Sequence, residues 1–489
     1  MNPILIPIAF LVFLLAWMLF RTLKLQRTPD QVEPAPKAPI DANLAAKHLS
    51  QAVQFKTISK MEMSEAERKP FLDLHAWITQ AFPLITEKLT RTVINDHSLL
   101  YKWAGSDSHL KPVLFNAHMD VVPVDETTRP EWKAEPFGGE IRDGFIWGRG
   151  ALDMKGIMVG LLESVEALLK EGYQPQRTIY LTFGHDEEVM GFKGSLKIME
   201  HLKAKGVDLA AVLDEGGIMS LGALPVADIP MAFIGNAEKG FLTMKLSAEG
   251  IPGHSSRPPR QTAIGIVARA IALIDDNPMP SKLEHSLATL KSIAYLLPFG
   301  LQFVLANEWL LKGWLVRKLK QNPETAALLH TTNAATMIEG GIKDNVLPSS
   351  AVAKVNLRLM PGDTIESTLV HFRKVVNDPR LKMEVDPQTG GWEPSAIAST
   401  ETPAFRTLEL VVRQTFNNIP AAPFTFLAAT DSRHYQPICA NIFKFSPYFV
   451  KPDELKGIHG INERISQETL AGMAAFYYRL MRVWGDAGF

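Results

Sequence analysis

Histidines and carboxylates recur in this chain directly after short apolar runs. His118-Met119-Asp120 follows the short, mostly apolar run 113–117. With a strand period of two, His118 and Asp120 can face one side, and a carboxylate beside a ligating imidazole fixes its tautomer and raises its basicity. The structural alternative is a surface histidine near an aspartate. Asp153 stands in Gly148-Arg149-Gly150-Ala151-Leu152-Asp153-Met154-Lys155-Gly156, at the head of a helical pattern. It reads either as an N-cap after a tight turn or as a carboxylate able to bridge two cations. Lys155 is not followed by Ser or Thr at the required spacing, which disfavours a phosphate loop. His185-Asp186-Glu187-Glu188 and Asp214-Glu215-Gly216-Gly217 end two further runs. Acids so crowded repel unless a cation sits among them, although on a solvated loop the repulsion costs little. His459 lies far downstream in the Gly-rich segment 457–463. Carboxylate and imidazole donors without thiolate suit two catalytic zinc ions, with cobalt or manganese as substitutes. Two metals ~3.5–4 Å apart share a bridging water and clamp a carbonyl oxygen.

These groups need strands that end on one side of a sheet. The runs 113–117, 178–183 and 210–213 read as buried strands, and 156–170 carries apolar residues at helical spacing (Ile157, Leu161, Val165, Leu168). Strand alternating with helix indicates an α/β sheet covered on both faces, and such sheets bind ligands beyond the carboxyl ends of their strands. After about Ala237 the texture changes: 240–246 and 352–359 alternate like half-exposed strands of an α+β module. Buried elements return after about Gly390, with a helix at 404–415 and a strand at 442–445. One module is thus expected to be inserted into another, dividing the body into 41–238, 239–388 and 389–489.

Hydrophobic residues make up 46% of the 489 residues and charged residues 21%, a globular composition. With 51 Lys+Arg against 52 Asp+Glu, no basic excess invites nucleic acid. A single cysteine excludes a disulfide framework and a cysteine-ligated metal site. Residues 3–20 are apolar and uncharged, at the short end of what spans a bilayer. Arg21, Lys24 and Arg27 follow rather than precede them, and no good cleavage site is present. Residues 1–27 therefore read as an uncleaved membrane anchor, the alternative being a cleaved signal, and the basic flank would put residues 21 onward on the cytoplasmic side. Prolines at 29, 34, 36 and 39 make 28–40 an extended tether that holds the body off the membrane.

The ordered set H-M-D, G-R-G-A-L-D-M-K-G, D-E-E, L-D-E-G-G, G-H-S-S, D-N-V-L-P, T-D-S-R and G-I-H-G resembles the aminoacylase/carboxypeptidase family of co-catalytic zinc metallopeptidases, peptidase family M20. The match runs from about residue 45 to the C-terminus. It looks nearest to the branch of Gly-Xaa carboxypeptidases and N-fatty-acyl-amino-acid synthase/hydrolases. The resemblance implies an α/β, phosphorylase/hydrolase-like zinc-peptidase catalytic domain with an inserted α+β lid, or dimerisation, domain, here preceded by a single N-terminal transmembrane helix. It implies two zinc ions per subunit. His118 would bind one metal, oriented by Asp120; Asp153 would bridge both, with a cis peptide after it; Glu188 and His459 would hold the other metal. The remaining ligand beside His118 would be Glu215 or Asp214. Glu187 would be the general base. In the lid, His254 would polarise the scissile carbonyl, reaching across a homodimer, with Asn345 and Arg358 contacting substrate. Arg433 would clamp a free carboxylate, as a guanidinium fork suits.

Three functions compete: hydrolysis of N-acyl amino acids, removal of C-terminal residues from short peptides, and non-catalytic binding at a membrane. The first two share one machinery. The uncharged stretch 292–307, followed by Trp309, Trp314 and basic residues, is too short and too broken by Pro298 and Gly300 for a second span. It reads either as ordinary lid helices or as an apolar surface that lies on the bilayer or roofs an acyl channel. The second reading predicts a preference for long acyl chains.

Overall fold

The apolar runs at 113–117, 178–183 and 210–213 form the strands Val113–His118, Ile179–Gly184 and Ala211–Asp214, which pair in parallel. The structure is a computed structural model describing residues 5–26, 28–221 and 229–488. Pro3 and Arg27, in the apolar segment and its basic flank, lie outside the described residues. The strand Ile442–Lys444 extends the parallel core beside Ala211–Asp214, within a sheet of ten strands.

Successive side chains of these strands serve different cores, as a period of two requires. Val113, Phe115 and Ala117 join Ile179, Leu181, Phe183, Ala211 and Leu213 against one set of helices. Leu114, Tyr180 and Val212 point the other way, onto the helix Ser195–Ala204 and the 3-10 segment Asp431–Ile438. The helix Lys155–Lys170 buries Ile157, Leu161, Val165 and Leu168 and packs on Ala42–Val53 and Gln467–Gly485. Each such side chain contributes ~1.5–3 kcal/mol of burial. With both faces of its parallel core covered, that core is open to ligands at its strand ends.

The chain leaves this sheet at Lys239. Gly240–Glu249, Ser350–Leu359, Thr332–Gly340, Leu381–Val385 and Gly391–Trp392 form a separate five-stranded sheet, antiparallel throughout. Alternate residues Leu242, Met244, Leu246, Val355 and Leu357 pack on the helices Ala263–Asp276 and Ile365–Val376. This second sheet reaches Trp392, past residue 388.

The stretch 292–307 is not one helix. A 3-10 turn, Ala294–Leu296, precedes the helix Phe299–Ala306, and Glu308–Leu319 follows. Leu283, Ala294, Leu297, Leu305, Leu315 and Leu329 make a small core of their own. The opposite surface leaves Phe299, Trp309, Leu310 and Trp314 about half exposed.

Residues Leu5–Leu25 form one helix, long and apolar enough to cross a membrane. Its first half stands exposed, while Met18 and Thr22 are buried. The second half docks on the insertion: Asn307 Nδ2 donates to Met18 O at 3.2 Å and Arg21 Nε to Ala306 O at 2.7 Å. Residues 28–40 then depart from the expected tether. Val32 N donates to Asn418 Oδ1 at 2.9 Å, Ala35 N to Gln414 O at 3.2 Å, and Arg479 Nη2 to Pro36 O at 2.7 Å. Proline removes backbone donors, and two of the remaining ones, on Val32 and Ala35, find partners on the body. The segment is a strap that ties helix and body together, not a spacer.

Candidate metal centre

His118 ends its strand fully buried, and its Nδ1 lies 3.0 Å from Asp120 O and 3.3 Å from Asp120 Oδ1. This leaves Nε2 free to face the cluster. Asp120 does more than orient that ring. Its carboxylate accepts from Ser59 Oγ at 2.6 Å, Glu187 N at 3.2 Å and Glu188 N at 3.0 Å. One buried acid therefore sets both the histidine and the backbone of the next strand's acidic turn.

Asp153 lies between two groups. Its Oδ1 is 3.1 Å from His118 Nε2, which is also 3.4 Å from Glu215 Oε1. Its Oδ2 is 3.1 Å from His459 Nε2, which is also 3.1 Å from Glu188 Oε2. The two oxygens of one carboxylate thus face two separate imidazole–carboxylate pairs. Glu187 completes the first group, with donor atoms of His118, Glu187 and Glu215 within 4.8 Å of one another. The Asp153–Met154 peptide is cis.

Of the two acids after the third strand, Glu215 reaches the cluster and Asp214 turns from it. Asp214 Oδ1 accepts from Asn116 Nδ2 at 2.9 Å and Oδ2 from Ser432 N at 2.8 Å. Both oxygens are committed to the neighbouring strand Val113–His118 and the 3-10 segment Asp431–Ile438, so Asp214 braces the site.

The turn carrying Asp153 is held by a residue not singled out in the sequence. Glu463, fully buried, accepts from Gly150 N at 3.0 Å, Leu152 N at 2.9 Å and Asp153 N at 3.1 Å through Oε1. Its Oε2 accepts from Arg149 Nη1 at 2.7 Å, and Arg149 Nη2 donates to Gly460 O at 2.7 Å. Gly150 sits at φ +90°, and a Cβ there would lie 2.8 Å from Val121 Cγ1. This ion pair locks the Asp153 turn to the His459 loop, where His459 itself holds a left-handed φ of +57°. Glu463→Gln leaves the Arg149 charge buried without its partner. It is expected to cost about 3–5 kcal/mol of stability, read from urea denaturation. A loss below about 1 kcal/mol would show that the pair does not hold these loops.

The charges of the cluster call for a cation. Burial, reinforced by Glu215 and Asp431 and opposed by His118, pushes the Glu187 carboxyl well above its usual range. Burial and the facing Asp153 raise Glu215 to about 8. Hydrogen bonds to Asp153 and Glu188 raise His459 to about 10. Protons here balance negative charge that divalent cations would balance as well. The donors are carboxylate and imidazole, and the single cysteine, Cys439, is buried in the core against Leu209 and Ile438. That set fits zinc, with cobalt or manganese also accommodated.

A cavity of about 520 Å3 opens on this cluster. Asp153, Glu187, Glu188, Glu215 and His459 line one side; Phe233, Phe424, Phe426, Ile218 and Tyr448 line much of the rest. The phenylalanines of this wall were not anticipated from the sequence, because they come from two strands far apart in the chain.

The remaining expected residues lie further out. Arg433 donates to Met190 O at 2.6 Å and Thr430 O at 3.1 Å, with its guanidinium 5.0 Å from the Trp392 ring centroid. Trp392 stacks on Phe241 at 4.6 Å, and Phe241 carries Arg358 at 5.1 Å. Two arginines, Arg433 from the 3-10 segment Asp431–Ile438 and Arg358 from the second sheet, are therefore joined through two stacked rings. His254 and Asn345 are not brought to the metal cluster. Both are exposed on the small ribbon Gly253–His254 with Val346–Leu347, where Ser255 N donates to Asn345 O at 3.2 Å.

Comparison with known proteins agrees with this geometry. The model of peptidase family M20/M25/M40 matches residues 114–483. The chain is 36% identical over 441 residues to a probable carboxypeptidase S-like 2 of Dictyostelium discoideum, covering 89% of this chain and 84% of that protein. It is also 36% identical over 439 residues to an N-fatty-acyl-amino acid synthase/hydrolase of Xenopus tropicalis, covering 89% and 84%. Among solved structures, the M20 family metallo-carboxypeptidase Sso-CP2 of Sulfolobus solfataricus shares the fold at a TM-score of 0.63 and 18% identity, covering 90% of this chain and 99% of that one. Sequence match, shared fold and clustered donors agree: the chain belongs to peptidase family M20/M25/M40 and is a hydrolytic enzyme of the metallopeptidase type.

Proposed function

We propose that the protein is a di-zinc hydrolase that cleaves the amide bond of N-acyl amino acids bearing a free carboxylate, with long acyl chains preferred. The observation that carries this is the two-sided cavity, acidic and imidazole-bearing on one side and aromatic on the other. His118 and Glu215 would hold one ion, Glu188 and His459 the other, with Asp153 serving both. Ions bound there supply a polarised carbonyl and a water of lowered pKa. Glu187 accepts a proton from the attacking water and returns it to the leaving nitrogen. Arg433 and Arg358 are the available guanidinium groups for the substrate carboxylate, positioned by Trp392 and Phe241. His254 would act from a second copy. The strand Thr332–Gly340 supports such pairing: it is exposed, it sits at the end of its sheet, and it carries Met337 and Ile338 outward.

The helix Leu5–Leu25 is read as a membrane anchor, with the body on its cytoplasmic side. Trp309 and Trp314, beside Arg317 and Lys318, suit the interface. Carboxypeptidase action on short peptides would use the same polar groups, and the aromatic wall favours the acyl reading. The test is kcat/KM of the zinc-loaded protein on N-acyl amino acids from acetyl to oleoyl, alongside dipeptides. Each buried methylene is worth ~0.8 kcal/mol, so the value should rise about fourfold per methylene until the site is full. A flat or falling profile rejects the acyl reading and leaves the peptidase.

A further inference from the structure

Resting on the N-acyl amino acid reading, we infer that the acyl chain continues past the Phe233–Phe424 ring pair into a second cavity beneath the helical insertion. There Leu290, Leu319 and Leu328 set the preferred chain length.

Phe233 and Phe424 line both the metal cavity and a second cavity of about 150 Å3. They stand on neighbouring parallel strands, Pro230–Glu238 and Ala421–Phe426. Their rings meet edge to face at 5.8 Å, and Phe424 meets Phe426 in the same way at 6.1 Å. An aromatic track thus leads from Phe426, in the metal cavity, to the shared wall. Both residues of that wall are only half-buried, so a flexible chain can pass by ring rotation without moving backbone.

Beyond the wall the lining is supplied by the insertion. Leu290 comes from the helix Glu284–Ser292, Leu319 ends Glu308–Leu319, and Leu328 follows Pro323–Ala327. Three of the four hydroxyl residues at this cavity, all but Thr425, have acceptors: Thr289 Oγ1 donates to Pro423 O at 2.6 Å, Ser286 Oγ to Leu328 O at 2.9 Å, and Thr325 Oγ1 to Asn322 O at 3.2 Å. Burial lowers the pKa of His285, which keeps that imidazole neutral. Such a cavity has little to offer water and much to offer hydrocarbon. A volume of about 150 Å3 whose surface is mostly apolar accepts a guest the size of benzene, roughly six carbons. The insertion thereby acquires a purpose that its separate small core does not explain.

The test compares wild type, Leu290→Trp and Leu290→Ala across N-acetyl, octanoyl, dodecanoyl, palmitoyl and oleoyl amino acids, with zinc loaded. Wild type should gain about fourfold in kcat/KM per methylene up to its preferred length. Leu290→Trp should fill the cavity, shorten the preferred chain, and lower the ratio of long-chain to N-acetyl kcat/KM by about 10-fold or more. Leu290→Ala should move the optimum to longer chains, and it decides the matter alone if the Trp variant does not fold. A rising wild-type profile that both variants reproduce overturns the second cavity and leaves the acyl function standing. A flat wild-type profile overturns the acyl function itself, and this inference with it.

Discussion

Glu187→Gln is expected to lower kcat by about 10²–10⁴-fold, with fold and metal content retained. Gln keeps the shape of the side chain but cannot accept a proton. Asp120 fixes the Glu187 backbone through its N–H, so the substituted amide should occupy the same place. Burial and the neighbouring acids hold the wild-type carboxyl high. With cations offsetting the surrounding charge, such a carboxylate would take a proton from water and pass it to a leaving nitrogen. Steady-state kinetics on the preferred substrate, with metal analysis of the same sample, decides it. Activity close to wild type in a fully metallated variant would falsify the assignment.

Asp153→Ala should remove both metals and all measurable turnover, whereas His459→Ala should weaken chiefly one. The contrast follows from geometry: one Asp153 oxygen faces the His118–Glu215 pair and the other the His459–Glu188 pair. Losing that carboxylate deprives both groups of an anionic donor. Metal content after dialysis against a weak chelator is the readout. Two equivalents retained by Asp153→Ala would sink the bridging role, and equal losses in the two variants would show that the two groups are not separate sites.

Much of the scaffold was legible because its causes are local. The runs at 113–117, 178–183 and 210–213 became strands within one residue of those bounds. The helix expected from Ile157, Leu161, Val165 and Leu168 spans Lys155–Lys170. The alternation over 240–246 and 352–359 was likewise legible, and those segments lie in the longer strands Gly240–Glu249 and Ser350–Leu359, which pair with each other. The tether was misjudged: proline density speaks to extension, but not to whether Asn418, Gln414 and Arg479 stand ready to bind the extended chain. In 292–307 Ala294, Leu297 and Leu305 build a small core while Phe299 stays exposed, and the chain-length profile tests what that exposed surface meets.

The sequence by itself determined the α/β class, the family, the types of metal donor and their order along the chain. Each depends on residue type and short-range period, which survive without knowledge of the third dimension. Only the tertiary structure decided how those donors divide. It put one Asp153 oxygen toward each imidazole. It turned Asp214 to Asn116 and Ser432 while sending Glu215 to the cluster. It also gave Glu463 the turn that carries Asp153, although Arg149 and Glu463 are 314 residues apart. A side chain's last bond rotation and a loop's closure against a distant loop are set by packing between remote segments. The physical reason is that hydrogen bonds and close packing act over a few ångströms of space, whatever the separation along the chain.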